Sequence, residues 1–201
     1  MSRRALAIYA SFIALFGVFC YFAHRYDSFP GDVSISQWLQ GSSTDWLTTA
    51  MRFAPYAIGL AVVVALLFRL WWRRLIAIAI TASAAGLTAW ILKLLVSRPR
   101  PTPELVQVMV DTQGSGFPSG HTAMAVAIGG FLIYLMPRLV KSPATAALLR
   151  ALLVVLIAAV GVSRLYLGAH WLSDIAGGLG LGGLLLFPAI VLYNKYEMKN
   201  A

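Results

Sequence analysis

Two histidines stand where the chain has little other reason for them. His170 lies in the stretch Ser163–Asp174, SRLYLGAHWLSD, four residues ahead of Asp174. On a helix that spacing puts both side chains on one face, within hydrogen-bond reach. A carboxylate on one imidazole nitrogen fixes the tautomer and raises the basicity of the other, the logic of a catalytic triad. Taken alone, such a pair is more often structural. His121 closes the sequence Pro118-Ser119-Gly120-His121 at the threshold of an apolar run. A helix starting near Ser119 leaves its first N–H groups unpaired and carries the positive end of the macrodipole, while Gly120 lets a ligand approach the backbone. Ser119 taken alone reads rather as a plain N-cap. A histidine on a membrane-spanning helix is costly, and points to function.

Cations gather around both histidines. Lys93 opens the segment KLLVSRPRP, in which Pro99 and Pro101 forbid further helix. Lysines at helix ends commonly snorkel to the interface, whereas Arg98 and Arg100, held between prolines, present at least one rigid guanidinium fork suited to a phosphate or carboxylate. Arg164 adds a further cation beside Ser163. No cysteine or acidic cluster accompanies these residues to build a metal site. Cations with a helix N-terminus indicate phosphate, and two histidines in different settings indicate a nucleophile and an acid. The chemistry expected is phosphoryl transfer without metal or cofactor.

The elements that must hold these residues are dictated by composition. Of the 201 residues, 60% are hydrophobic and only 11% charged. Soluble domains do not have this balance. A span needs about 20 apolar residues to cross roughly 30 Å of hydrocarbon, and six stretches approach that: 5–23, 55–72, 75–96, 121–136, 148–162 and 175–193. Backbone polar groups in lipid must be paired internally, so an all-α bundle of six transmembrane helices is expected. One transmembrane domain covers 1–201, with no repeat or low-complexity tail. The N-terminal run behind Arg3 and Arg4 has no A-x-A cleavage pattern and reads as a retained signal anchor. Cys20, the only cysteine, lies within it as a packing residue.

The net charge of +9 is not spread as a nucleic-acid face, and no nucleic-acid partner is expected. Arg3, Arg4, Arg69, Arg73, Arg74, Arg138, Lys141, Arg150, Lys195 and Lys199 fall on one side of the six spans, ten of the sixteen cations. The positive-inside rule makes that side cytoplasmic. Both histidines, Asp174 and the Lys93–Arg100 loop then share the periplasmic or exterior face of the plasma membrane. The long connection 25–54 mixes Trp38 and Trp46 with polar residues, and reads either as an interfacial helix or as an ordinary loop. Gly177, Gly178, Gly180, Gly182 and Gly183 should let the last helix approach a neighbour closely inside the bundle, or else form a dimer face; the sequence leaves the oligomeric state open.

These motifs resemble those of the type 2 phosphatidic acid phosphatase superfamily. K-x6-R-P matches Lys93, Arg100 and Pro101; P-S-G-H is Pro118 to His121; S-R-x5-H-x3-D matches Ser163, Arg164, His170 and Asp174. The resemblance implies that His170 attacks phosphorus to form a phosphohistidine while Asp174 orients it. His121 would protonate the leaving oxygen and then activate water. Lys93, Arg100, Ser119, Gly120 and Arg164 would hold the phosphoryl oxygens. It further implies a lipid phosphate or diphosphate substrate among membrane lipids. Undecaprenyl diphosphate is the leading expectation, and phosphatidylglycerophosphate and phosphatidic acid are the alternatives. A non-catalytic lipid-phosphate binder or transporter would need the cations but no nucleophile.

Overall fold

The computed structural model describes residues 2–67 and 72–199. Seven helices follow one another: α1 Arg3–Arg25, α2 Asp32–Gln40, α3 Asp45–Leu67, α4 Trp72–Val96, α5 Gly120–Leu139, α6 Pro143–Tyr166 and α7 Leu172–Lys199. Among the described residues there is no strand. Five helices, α1, α4, α5, α6 and α7, are long and apolar enough to cross a membrane. The expected span 55–72 begins inside α3 and continues into residues 68–71, which, with Arg69, lie outside the described residues.

Local chemistry sets several of these boundaries. Ser2 and Ser142 accept from the N–H groups of Ala5 and Thr145, and Pro143 occupies the first turn of α6, where its missing N–H costs nothing. Pro99 and Pro101 follow the end of α4. Outward-facing side chains such as Leu15, Trp90, Leu95 and Leu148 are mostly exposed and apolar, a coat that suits lipid rather than water.

Small residues fill the middle. Helix α5 packs against α4, α6 and α7, and Ala85, Ala89, Ala123, Ala127 and Leu181 form one of its buried contacts. A Cβ placed on Gly178 would lie 2.5 Å from the Ser119 carbonyl, and one on Gly182 would lie 2.6 Å from Val126 Cβ. The glycines therefore serve the bundle itself, as the sequence suggested. Cys20 packs beside the cluster of Ala23, Val96 and Phe117.

Helix order sorts the chain's polar groups to the two ends. Arg73, Arg138, Lys141 and Lys195 belong to the end where α4 starts and α5 and α7 finish. The end of α4 and the starts of α5 and α7 meet at the other, where the Ser119 N–H donates to the Asp174 carbonyl at 2.9 Å. Helix α2 lies over this second end. Its buried side chains are Asp32, Ser36 and Gln40, one polar residue per turn, while Trp38 is 79% exposed. The helical reading of the 25–54 connection thus holds for residues 32–40, while 45–54 already belong to α3.

Candidate functional site

His170 sits in the turn between α6 and α7. That turn needs Gly168, whose φ is +66° and whose Cβ would fall 2.3 Å from the Gln107 carbonyl. Asp174 lies in the first turn of α7, where its Oδ2 accepts from the Trp171 N–H at 2.9 Å. His170 Nδ1 stands 3.5 Å from the same oxygen, beyond ordinary hydrogen-bond length. The expectation that both residues share a helix is corrected: α7 starts at Leu172, and His170 reaches Asp174 from the preceding turn. Burial pushes the His170 imidazolium down to about 4, against the opposing pull of Asp174. The ring is therefore neutral near pH 7, the form a nucleophile requires.

Asp174 has a stronger partner than His170. Arg98 Nη1 donates to its Oδ1 at 2.6 Å, and Arg98 Nη2 donates to Asp32 Oδ2 at 3.0 Å. The same guanidinium reaches Ser173 Oγ and the Tyr26 carbonyl and lies over the Phe29 ring. All three charged side chains are buried. Arg98, a candidate phosphate ligand in the sequence, is thus sequestered behind Asp174. Gly116 leaves room for this packing, since a Cβ there would come within 2.9 Å of Asp174 Oδ2.

A cavity of about 230 Å³ opens in front of His170. Its walls include Lys93, Arg100, Gly120, His121, Arg164 and His170, and its floor includes Gly86, Ala89, Trp90 and Met124. Six of the eight expected site residues therefore line one space. Asp174 and Ser119 stand behind it, fully buried. Ser119 begins α5 but makes no side-chain cap; its Oγ accepts from Thr122 Oγ at 3.0 Å.

The cations are held unequally. Lys93 Nζ donates to the Ser115 and Gly116 carbonyls, leaving one N–H of three. Arg100 donates to the carbonyls of Gln113, Gly114 and Ala169, tying the loop to the residue before His170. Arg164 is freer. Its Nη2 is buried without a hydrogen-bond partner among the described residues, although Tyr56 faces its guanidinium at 5.1 Å. An unpaired buried guanidinium N–H is costly unless an anion meets it. Tyr56 also packs edge-on to His121, with ring centroids 5.8 Å apart.

Asp32 and Tyr56 were not singled out for the site from sequence. Asp32 offered one signal, a carboxylate at the head of an amphipathic stretch; Tyr56 offered none.

Helices long enough to span a membrane, with two histidines and three cations around one cavity, define a class: membrane proteins built to handle a phosphate group. The PAP2 superfamily model matches residues 73–198, and the chain belongs to that superfamily. Phosphatidylglycerophosphatase B of Bacillus subtilis is 36% identical over 101 residues, covering 48% of this chain and 47% of that protein. Decaprenylphosphoryl-5-phosphoribose phosphatase of Mycobacterium tuberculosis is 36% identical over 102 residues, covering 50% and 51%. The chain spans about half the length of these two relatives. The crystal structure of a transmembrane PAP2-type phosphatidylglycerolphosphate phosphatase from Bacillus subtilis superposes with a TM-score of 0.76, covering 93% of this chain and 96% of that one at 24% identity. The Aquifex aeolicus protein LpxE superposes at 0.62, with 20% identity over 79% of this chain and 94% of its own. At these identities the likeness is one of fold.

Proposed function

We propose that this protein hydrolyses a lipid phosphate or diphosphate through a phosphohistidine, with no metal or cofactor. The observation that carries the reading is the cavity, with two histidines and three cations at its mouth and an apolar floor that descends along α4 from Lys93 to Gly86. Seven residues of helix are about 10 Å, enough for the first carbons of a lipid tail below its headgroup. Trp90, on that floor, is also turned outward.

The chemistry follows from the placement. With Nδ1 turned to Asp174, Nε2 of His170 supplies the lone pair that forms the P–N bond. The bond from phosphorus to the leaving oxygen breaks, the lipid oxygen in a monophosphate or the bridging oxygen in a diphosphate, and that oxygen takes a proton from His121. Neutral His121 then accepts a proton from water as the water oxygen displaces His170 from phosphorus, releasing phosphate. Lys93, Arg100, Arg164 and the Gly120 N–H offset the charge on the three equatorial oxygens, the role that Mg²⁺ fills in many other sites. Ser119 stays in this proposal through its place at the head of α5.

Undecaprenyl diphosphate is the first substrate proposed. The phosphatidylglycerophosphatase name of one relative puts phosphatidylglycerophosphate beside it. Phosphate release from purified protein on both lipids and on phosphatidic acid, with EDTA present, tests the reading together with trapping of the phosphoenzyme. Release that persists with EDTA and is lost in His170→Ala is expected. Release that needs Mg²⁺, or none from any of the lipids, overturns it. Six spans with both termini cytoplasmic complete the proposal. With a membrane-impermeant thiol reagent on intact cells, cysteine at Thr112 should label and cysteine at Ser142 should not; the reverse pattern inverts the orientation.

A further inference from the structure

Asp32 lies 142 residues before Asp174, in a helix that has no part in the cavity wall. Its carboxylate is nevertheless among the most completely engaged in the chain. Oδ1 accepts from the Ser173 N–H at 2.9 Å, and Oδ2 accepts from the Phe29 N–H, the Ser173 hydroxyl and Arg98 Nη2. The Ser173 N–H is one of the unpaired donors in the first turn of α7, so Asp32 caps from outside the helix that carries Asp174.

The charges in this node do not balance. One guanidinium, Arg98, stands against two carboxylates, Asp32 and Asp174, for a formal sum of −1. If Arg98 had only Asp174, the two would form a closed, neutral buried pair, and little of the Asp174 charge would reach His170. A second buried carboxylate carries a desolvation cost that simple anchoring does not require. Its effect is to draw Arg98 Nη2 away from Asp174 and leave net negative charge behind His170, where imidazolium character develops as the P–N bond forms.

We infer that Asp32 is a positioning residue for the reaction, dividing Arg98 between two carboxylates so that Asp174 stays anionic towards His170 and the first turn of α7 stays in place. The inference rests on His170 as the nucleophile. Asp32 touches neither substrate nor cavity; it acts through Arg98 and Ser173.

Asp32→Asn keeps one of the two acceptor oxygens, puts an N–H₂ donor in place of the other, and removes the charge. It is expected to lower kcat on a lipid phosphate by about 10- to 100-fold, the range for loss of a partner that orients a functional group's own ligand, while KM stays near its original value because Lys93, Arg100 and Arg164 are untouched. Asp32→Glu should recover most of the loss. Gln40→Leu is the control: Gln40 ties the same helix to the Gln107 and Tyr166 carbonyls, so its loss loosens α2 without altering the charge. It should lower the melting temperature in detergent but leave kcat per folded molecule unchanged. If Asp32→Asn does no more than Gln40→Leu, or changes KM alone, Asp32 is only an anchor and the inference fails. Should Asp32→Asn not fold, Asp32→Ser keeps a hydroxyl oxygen at the head of α2 and removes the charge; a fall in kcat per folded molecule supports the inference and an unchanged kcat overturns it. A phosphoenzyme that survives in His170→Ala would instead overturn the nucleophile assignment, whatever Asp32 does.

Discussion

Behind His170, Arg98 places four of its N–H groups on oxygens of Tyr26, Asp32, Ser173 and Asp174 with no room for a ligand. In front of it, Arg164 points a buried Nη2 at no described partner. The two arginines have the same chemistry and opposite employment. A guanidinium with four of its five donors satisfied fixes geometry, because moving it breaks several charge-assisted bonds at once. A guanidinium with a buried donor left over is available to an anion, the use proposed for Arg164. Loss of Arg98 should therefore show first in folding, and changes to the front wall in binding and rate.

The sharpest way to break this contrast is Arg98→Met. It strands two buried carboxylates, and removing one partner of such a group costs about 3–5 kcal/mol. We expect little folded protein, or a melting temperature in detergent lowered by many degrees; a variant as stable as the parent would erase the distinction. His121→Ala comes next and belongs to the front. General acid catalysis is worth about 10²–10⁴-fold, so kcat on a lipid monophosphate should fall by that much. The loss should shrink on an activated aryl phosphate, whose leaving group needs no proton, and equal losses on both would remove His121 from that step. Arg164→Ala should cost less. A hydrogen bond to a charged group contributes about 1.5–3 kcal/mol, or roughly 10- to 150-fold in kcat/KM, with the melting temperature unchanged or raised because an unpaired buried donor is gone. A lowered melting temperature would move Arg164 to the structural side.

A pH profile refines the line between the walls. With the His170 imidazolium pushed down to about 4, the nucleophile is neutral above that value and is lost as pH falls through it. Phosphoenzyme formation should therefore stay level down to about pH 5 and decline below. A limb near the ordinary histidine value of about 6.5 would show that Asp174, with its share of Arg98, outweighs burial.

The front wall was far more legible in the sequence than the back. Lys93, Arg100, His121, Arg164 and His170 each stand in a short motif whose spacing carries meaning, and all five line the cavity. The back wall depends on pairings that no local spacing encodes. Arg98 and Arg100 alternate in one loop, and only the packed structure shows that the first turns inward and the second lies along the cavity. Asp32 meets Arg98 from α2, whose buried face is polar, contrary to what amphipathic periodicity leads one to expect. The i,i+4 rule found the right partner for His170 by assuming a helix that begins two residues later. Five of the six expected spans coincide with helices able to cross a membrane, because twenty apolar residues in a row leave the backbone few alternatives.

The glycine seam between α5 and α7 has a bearing on how such an enzyme could be re-tailored. Gly178 and Gly182 bring α7 so close to Ser119, Ala123 and Val126 that α5, with His121 in its first turn, and the helix carrying Asp174 form a single chassis, intolerant of insertions. Helix α3, which packs chiefly on α6, contributes Tyr56 at the rim and nothing to that seam. Grafting α3 from a relative with another headgroup preference is thus a modular exchange. The seam would be inherited whole, while the ring that Tyr56 lays against His121 and Arg164 is swapped like an interchangeable part.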